Sequence, residues 1–161
     1  MMVPQADDVV KIIDIPLGIA NGANTVAGAA KRYSFNKRQA LYYFEAAEML
    51  GLAVPTKGKY ALSALGKQYV AFGFPERKLL LIRRMIALEV STRILIELVA
   101  NPKHSLSHRD IEGLVATDAK LSRTTVKRRV HTLLNWFRWI GQETRVFKVD
   151  SDTLNLYLKA Q

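Results

Sequence analysis

The sequence predicts a mainly α-helical protein with short β-hairpins, built as two modules of similar plan. Three observations predict it. Thr25, Asn36, Ser63, Ser107 and Ser122 each stand immediately before a stretch with helical apolar spacing, where a side-chain oxygen can accept a bond from a free amide of the first turn. Short runs of branched and aromatic residues around polar turns follow two of these helices. The order helix, turn, helix, hairpin then recurs in both halves of the chain.

In the first half, residues 25–34 form a short helix capped by Thr25, and Asn36 caps a longer one over residues 36–50. Ala40, Phe44, Ala47 and Leu50 are the buried stripe of that helix. Gly51 ends it by tolerating the left-handed conformation after the last turn. Leu52-Ala53-Val54 is then a strand, residues 55–59 a Gly- and Lys-bearing turn, and Tyr60-Ala61-Leu62 the returning strand. Ser63 caps the next helix, residues 64–71. A boundary near Gly73 to Pro75 gives modules 1–74 and 75–161, packed around a central linking helix, 76–88. Leu79, Leu80, Leu81, Ile82, Met85, Ile86 and Leu88 make that helix apolar enough to be buried on most sides.

In the second half, Ser107 caps residues 107–116, with Ile111, Leu114 and Val115 on one face. Residues 117–121 connect, with Asp118 as a turn former, and Ser122 caps a helix over residues 122–138. Residues 139–149 then read as a hairpin, with Gly141 equivalent to Gly51.

The helix over 122–138 carries the functional signal. Val126, Val130, Leu133, Leu134 and Phe137 recur at helical spacing and point inward. Arg123, Thr124, Lys127, Arg128 and His131 fall on the other side with no acid among them. A solvated helix usually mixes its charges, because opposite charges four residues apart help it form. A cationic, hydroxyl-bearing face at the start of a helix suits the phosphates and base edges of DNA. In the first module the matching positions are Lys37, Arg38, Gln39 and Tyr42, with Lys57 and Lys59 in the turn; Arg145 and Lys148 occupy the second turn region. Arg77, Lys78, Arg83 and Arg84 read either as the solvated edge of a core helix or as the lining of a DNA-facing groove. Trp136 lies off the apolar stripe and reads, with Trp139, as a core or interface residue.

Helix, turn, basic helix and hairpin is the order of a winged helix. Leu50-Gly51-Leu52, followed by Lys59-Tyr60-Ala61-Leu62-Ser63-Ala64-Leu65-Gly66, resembles the wing and following helix of prokaryotic winged helix-turn-helix domains. That resemblance covers roughly residues 8–73. Arg38-Gln39-Ala40, Tyr42-Tyr43-Phe44, Ala46-Ala47-Glu48 and Leu50-Gly51-Leu52 are together similar to winged-helix modules attached to restriction endonucleases. What the resemblance implies is DNA binding through the third helix and the wing.

Charge agrees with an anionic partner: 24 Lys+Arg against 14 Asp+Glu give +10. Split at the expected boundary, residues 1–75 hold eight cations against five acids, and residues 76–161 sixteen against nine. No apolar run is long enough to span a bilayer, no Cys is available for acylation, and the first residues do not read as a signal peptide. A cytoplasmic protein without membrane contact is the expectation. The absence of Cys also excludes disulfides and thiolate metal sites.

A nuclease needs clustered carboxylates to hold Mg2+. Asp118 with Lys120, and Asp150 with Asp152, lack a third member beside them and read as turn or cap residues. His104 and His108 read as surface loop residues, and no phosphate loop or Ser-His-acid set is present. No cofactor, metal or catalytic role is expected. The sequence therefore predicts a double-stranded DNA-binding protein with recognition helices over 36–50 and 122–138. It would serve transcription control, replication initiation or target recognition in a restriction system, the last with a catalytic domain or partner chain. Two rival readings stay open: a winged-helix scaffold for protein partners, which the Arg-rich face at 123–131 argues against in the second module and Tyr42 and Tyr43 leave open in the first, and a nuclease subunit using Asp150 and Asp152 with Mg2+.

Overall fold

The computed structural model describes residues 2–116 and 121–157; the predicted turn residue Asp118, with Lys120, lies outside them. The expected class holds: the described residues form eight helices and short antiparallel hairpins. The chain divides into two compact units, one of Pro4–Met85 and one running from Ile86 onward with Met2 and Val3. This division falls later than the expected 74/75, and it places the linking helix with the first unit.

The first unit runs α1 (Val9–Ala20), α2 (Val26–Tyr33), α3 (Lys37–Met49), β1 (Ala53–Thr56), β2 (Lys59–Leu62), α4 (Ala64–Ala71) and α5 (Phe74–Ile86). Thr25 Oγ1 accepts from Gly28 N (3.0 Å), and Asn36 and Gln39 form a reciprocal capping box. The predicted stripe of α3 is buried, and Gly51 follows the helix at φ 75°. Lys57 and Gly58 both take positive φ, which gives the tight two-residue turn whose twist matches the paired strands. Ser63 Oγ accepts from Gly66 N (2.9 Å) and donates to the Gly51 carbonyl (2.6 Å).

α1 has no counterpart in the sequence reading. It buries Ile12, Ile13, Ile15 and Ile19 despite the proline at position 16. Three tyrosines from three helices tie their hydroxyls to it. Tyr33 of α2 donates to the Asp14 carboxylate (2.8 Å), and Tyr69 of α4 donates to the Ile13 carbonyl (2.8 Å). Tyr43 of α3 accepts from Asp8 N (3.2 Å) and donates to Asp7 (3.3 Å).

α5 is amphipathic rather than buried on most sides: Leu81, Ile82 and Met85 are buried, while Leu79 is 51% exposed. Arg77 donates to the carbonyls of Tyr69 (3.1 Å) and Val70 (2.9 Å) near the end of α4. Arg84 donates to the Leu50 carbonyl (2.9 Å) at the end of α3. The last carbonyls of a helix lack intrahelical partners and carry the negative end of its dipole, so a guanidinium there satisfies both. Arg77 and Arg84 thus act as capping groups within this unit.

The second unit runs α6 (Glu89–Ala100), β3 (Ser105–Leu106), α7 (His108–Ala116), α8 (Arg123–Thr144), β4 (Phe147–Asp150) and β5 (Thr153–Leu156). Its strands form one antiparallel sheet in the order β3-β5-β4. Ser107 and Asp110 make a capping box at α7, with Ser107 N donating to Asp110 Oδ2 (2.8 Å) and Asp110 N to Ser107 Oγ (3.3 Å). Ser122 caps α8, and Val126, Val130, Leu133, Leu134 and Phe137 are buried as predicted.

The hairpin predicted over 139–149 is corrected. Residues 139–144 continue α8, and the hairpin is β4–β5. The apolar stripe simply runs on through Ile140 and Gly141, both buried. Gly141 is a helical residue rather than the equivalent of Gly51: a Cβ there would lie 2.2 Å from the Phe147 carbonyl oxygen, so its bare backbone lets β4 pack against the helix. Thr144 bonds the Ile140 carbonyl (2.7 Å), and Arg145 takes the left-handed conformation (φ 58°) that stops the helix.

Candidate nucleic-acid interface

The start of α8 presents Arg123, Thr124, Lys127, Arg128 and His131 to solvent, as its helical phase requires. None of the three cations has an acidic side chain within 4.0 Å among the described residues. Some cations elsewhere are paired, as in Lys11–Asp8 (3.2 Å), Arg32–Asp14 (3.6 Å), Arg93–Glu89 (3.0 Å) and Lys148–Asp150 (3.0 Å).

Two further elements meet this face. His108, Arg109 and Glu112 of α7 and Asp152 of the β4–β5 turn line an open cleft of about 750 Å³ together with Arg123 and Lys127. Arg109 adds a cation that the sequence reading missed, because it lies far from α8 in the chain. Asp152 adds a carboxylate, so the cleft is less uniformly positive than the helix alone. Glu112 is engaged by His108 Nδ1 (3.3 Å). Arg129 does not share this face: it is half-buried, and its Nε is enclosed without a hydrogen-bond partner.

Arg145 is separated from this site. At about 1.5 Å per residue, α8 carries it roughly 30 Å along the axis from Arg123. There it caps the helix and borders a different small cleft with Gly141, Phe147, Lys148 and Tyr157. It is therefore a cap rather than a wing residue.

In the first unit Lys37, Arg38 and Gln39 are exposed at the start of α3, and Lys57 and Lys59 flank the β1–β2 turn. Two of these are already engaged. Gln39 Oε1 accepts from Asn36 N (3.1 Å) in the capping box. Arg38 Nε donates to the Tyr42 hydroxyl, and its guanidinium lies 5.5 Å from the Tyr42 ring centroid. Binding through these two would first give up local contacts.

Re-drawn on the compact units, the charge is shared. Residues 4–85 hold twelve Lys+Arg against six Asp+Glu, and residues from 86 onward twelve against eight. The apparent excess of the second half came from α5, whose Arg77 and Arg84 are spent on helix ends. What distinguishes the second unit is the placement of its free cations, not its net charge.

Asp150 ends β4 and is paired to Lys148, while Asp152 lines the cleft. Among the described residues, no group of three or more His or carboxylate side chains is placed to hold a metal ion, and no helix is long and apolar enough to cross a membrane. The chain belongs to the family described as a domain of unknown function (DUF7226), whose profile matches residues 11–145, a span that takes in both units. No curated protein and no solved structure matches it.

Proposed function

We propose that the chain is a tandem winged helix-turn-helix protein that binds duplex DNA and reads its sequence mainly through the start of α8. The observation that carries this reading is the exposed set Arg123, Thr124, Lys127 and Arg128, with no acidic partner among the described residues, on the second helix of a helix pair followed by a hairpin. The order α6, β3, α7, α8, β4, β5 with a three-stranded sheet supports the winged-helix assignment of the second unit. The order α1, α2, α3, β1, β2 supports it for the first. α8 enters the major groove, Arg123 and Arg128 fork onto guanine edges, and Lys127 and Arg109 neutralise phosphate. Lys37, Lys57 and Lys59 give the first unit a supporting backbone contact. Two linked modules read a longer, non-palindromic site than either alone and raise the effective concentration of the second contact. Transcription control and target recognition for a restriction system are the roles this binding best serves.

The test compares Arg128→Ala with Lys127→Ala on a selected site and on random duplex by fluorescence anisotropy. Loss of a bidentate base contact costs about 1–3 kcal/mol on the selected site alone. Loss of a phosphate contact weakens both duplexes alike. Equal weakening of both by Arg128→Ala removes the reading role from Arg128.

A further inference from the structure

The polar edge of α8 continues beyond its cationic stretch. Asn135 follows His131 by one turn and Arg138 follows Asn135 by three residues, so the three side chains share one line along the helix. Arg138 Nη1 donates to Asn135 Oδ1, and Arg138 Nη2 donates to the Ser151 carbonyl (3.2 Å). Ser151 is the positive-φ residue (52°) of the β4–β5 turn, adjacent to Asp152 in the cleft. Asn135 Nδ2 lies 3.2 Å from His131 Nε2.

These contacts fix more than distances. A guanidinium only donates, so it commits the carboxamide oxygen of Asn135 and turns the NH2 end toward His131. That end only donates, so a neutral His131 bonded to it accepts at Nε2 and carries its ring proton on Nδ1. One arginine thereby sets the tautomer and ring orientation of a histidine on the cationic face, and also ties the hairpin turn to the same helix.

We propose that Arg138 is the positioning residue of the nucleic-acid face, acting on His131 through Asn135 and on the β4–β5 turn through Ser151, without touching DNA itself. This rests on the DNA-binding reading given above. Lysine at 138 would keep the charge but not the planar fork that serves two acceptors at once.

The experiment has an arm without DNA and an arm with it. Imidazole 15N–1H correlation spectra at about pH 8, where free histidine is neutral, report the tautomer; the His131 signals are assigned by their loss in His131→Asn. Wild type should show His131 protonated at Nδ1. Arg138→Lys and Asn135→Ala should shift it toward the mixture of a free imidazole. A tautomer that Arg138→Lys leaves unchanged overturns the relay.

In the second arm, Arg138→Lys and Arg138→Ala should each weaken duplex binding about tenfold, the loss expected for a charge-assisted hydrogen bond. Both should leave the salt slope as in wild type. Wild-type affinity in Arg138→Lys, or a slope smaller by about one in Arg138→Ala, would make Arg138 a phosphate contact instead. Failure of wild type to bind duplex would remove the DNA reading and this role with it, whereas the tautomer result tests the relay by itself.

Discussion

Replacing Gly141 with alanine should destabilise the second unit, although the same change in an ordinary helix stabilises it. Alanine exceeds glycine in helix interiors by about 1 kcal/mol. At position 141, however, the new Cβ would stand 2.2 Å from the Phe147 carbonyl oxygen and 2.9 Å from its carbon. Carbon meets a carbonyl oxygen comfortably at about 3.3 Å, so helix and strand must part by roughly 1 Å. Phe147 cannot retreat freely. It is buried, its ring meets Phe137 edge-on at 5.5 Å between centroids, and its backbone is paired with Leu156. Overpacking of this kind costs about 1–3 kcal/mol, which outweighs the helix gain at the upper end of that range. A net loss of about 1–2 kcal/mol corresponds to a fall in Tm of about 2–8 °C for a chain of this size.

Circular dichroism during thermal and urea unfolding measures it, with Gly113→Ala as the internal control. Gly113 is also helical, but nothing within 4 Å would meet its Cβ, so alanine there should stabilise by up to about 1 kcal/mol. Opposite signs for the two glycines support the packing described. A Gly141→Ala protein as stable as wild type would mean that α8 does not run through Thr144 against β4.

Three further outcomes follow from the contacts of the two units. Arg84→Ala leaves the buried carbonyl at the end of α3 without its donor and should cost about 1–2 kcal/mol in urea unfolding; no change in stability would remove the capping role assigned to Arg84. Burial first, and then Asp14, push the Tyr33 hydroxyl up to about 12 from its ordinary value of 10.0, and burial raises Tyr43 and Tyr69 as well. A phenol raised on folding contributes stability that is complete below pH 10 and fades as pH climbs from about 10 through about 12. The urea midpoint should fall over that window and Tyr33→Phe should flatten part of the fall; a midpoint that is level across it contradicts the tethering of α1. Asp152→Asn removes a carboxylate from the cationic cleft and should tighten duplex binding about two- to fivefold at low salt, the scale of one exposed charge interaction. Weaker binding by this variant would place Asp152 among the contacts instead.

Caps and phase were the legible part of this fold. Thr25, Asn36, Ser63, Ser107 and Ser122 each cap the helix they precede, because the bond they make is local to the first turn. The stripes of α3 and α8 were legible for the same local reason, and with them the exposure of Arg123, Lys127, Arg128 and His131. α1 was hidden by Pro16 and Gly18, which break a helical pattern that three long-range tyrosine contacts restore. The end of α8 was misplaced because Gly141 reads as a terminator, and its real purpose depends on Phe147 packing against it. β3 is two residues long and exists only through its pairing with β5. Arg77 and Arg84 look like surface charge until the helix ends that they cap are brought beside them. The contributions of Arg109 and Asp152 to the cleft likewise come from chain folding, not from any local motif.

The central claim is that exposed cations on and around the start of α8 bind duplex DNA, and the salt dependence of that binding tests it most directly. Affinity for a random duplex, measured by fluorescence anisotropy across a salt series, should fall with a log–log slope of about −4 to −5, as four to six neutralised phosphates require. Exchanging Lys127 and Arg109, the two cations of this site placed on phosphate, together for glutamine should lessen the slope by about two. A wild type that does not bind duplex at low salt, or a slope untouched by the double exchange, would contradict the account.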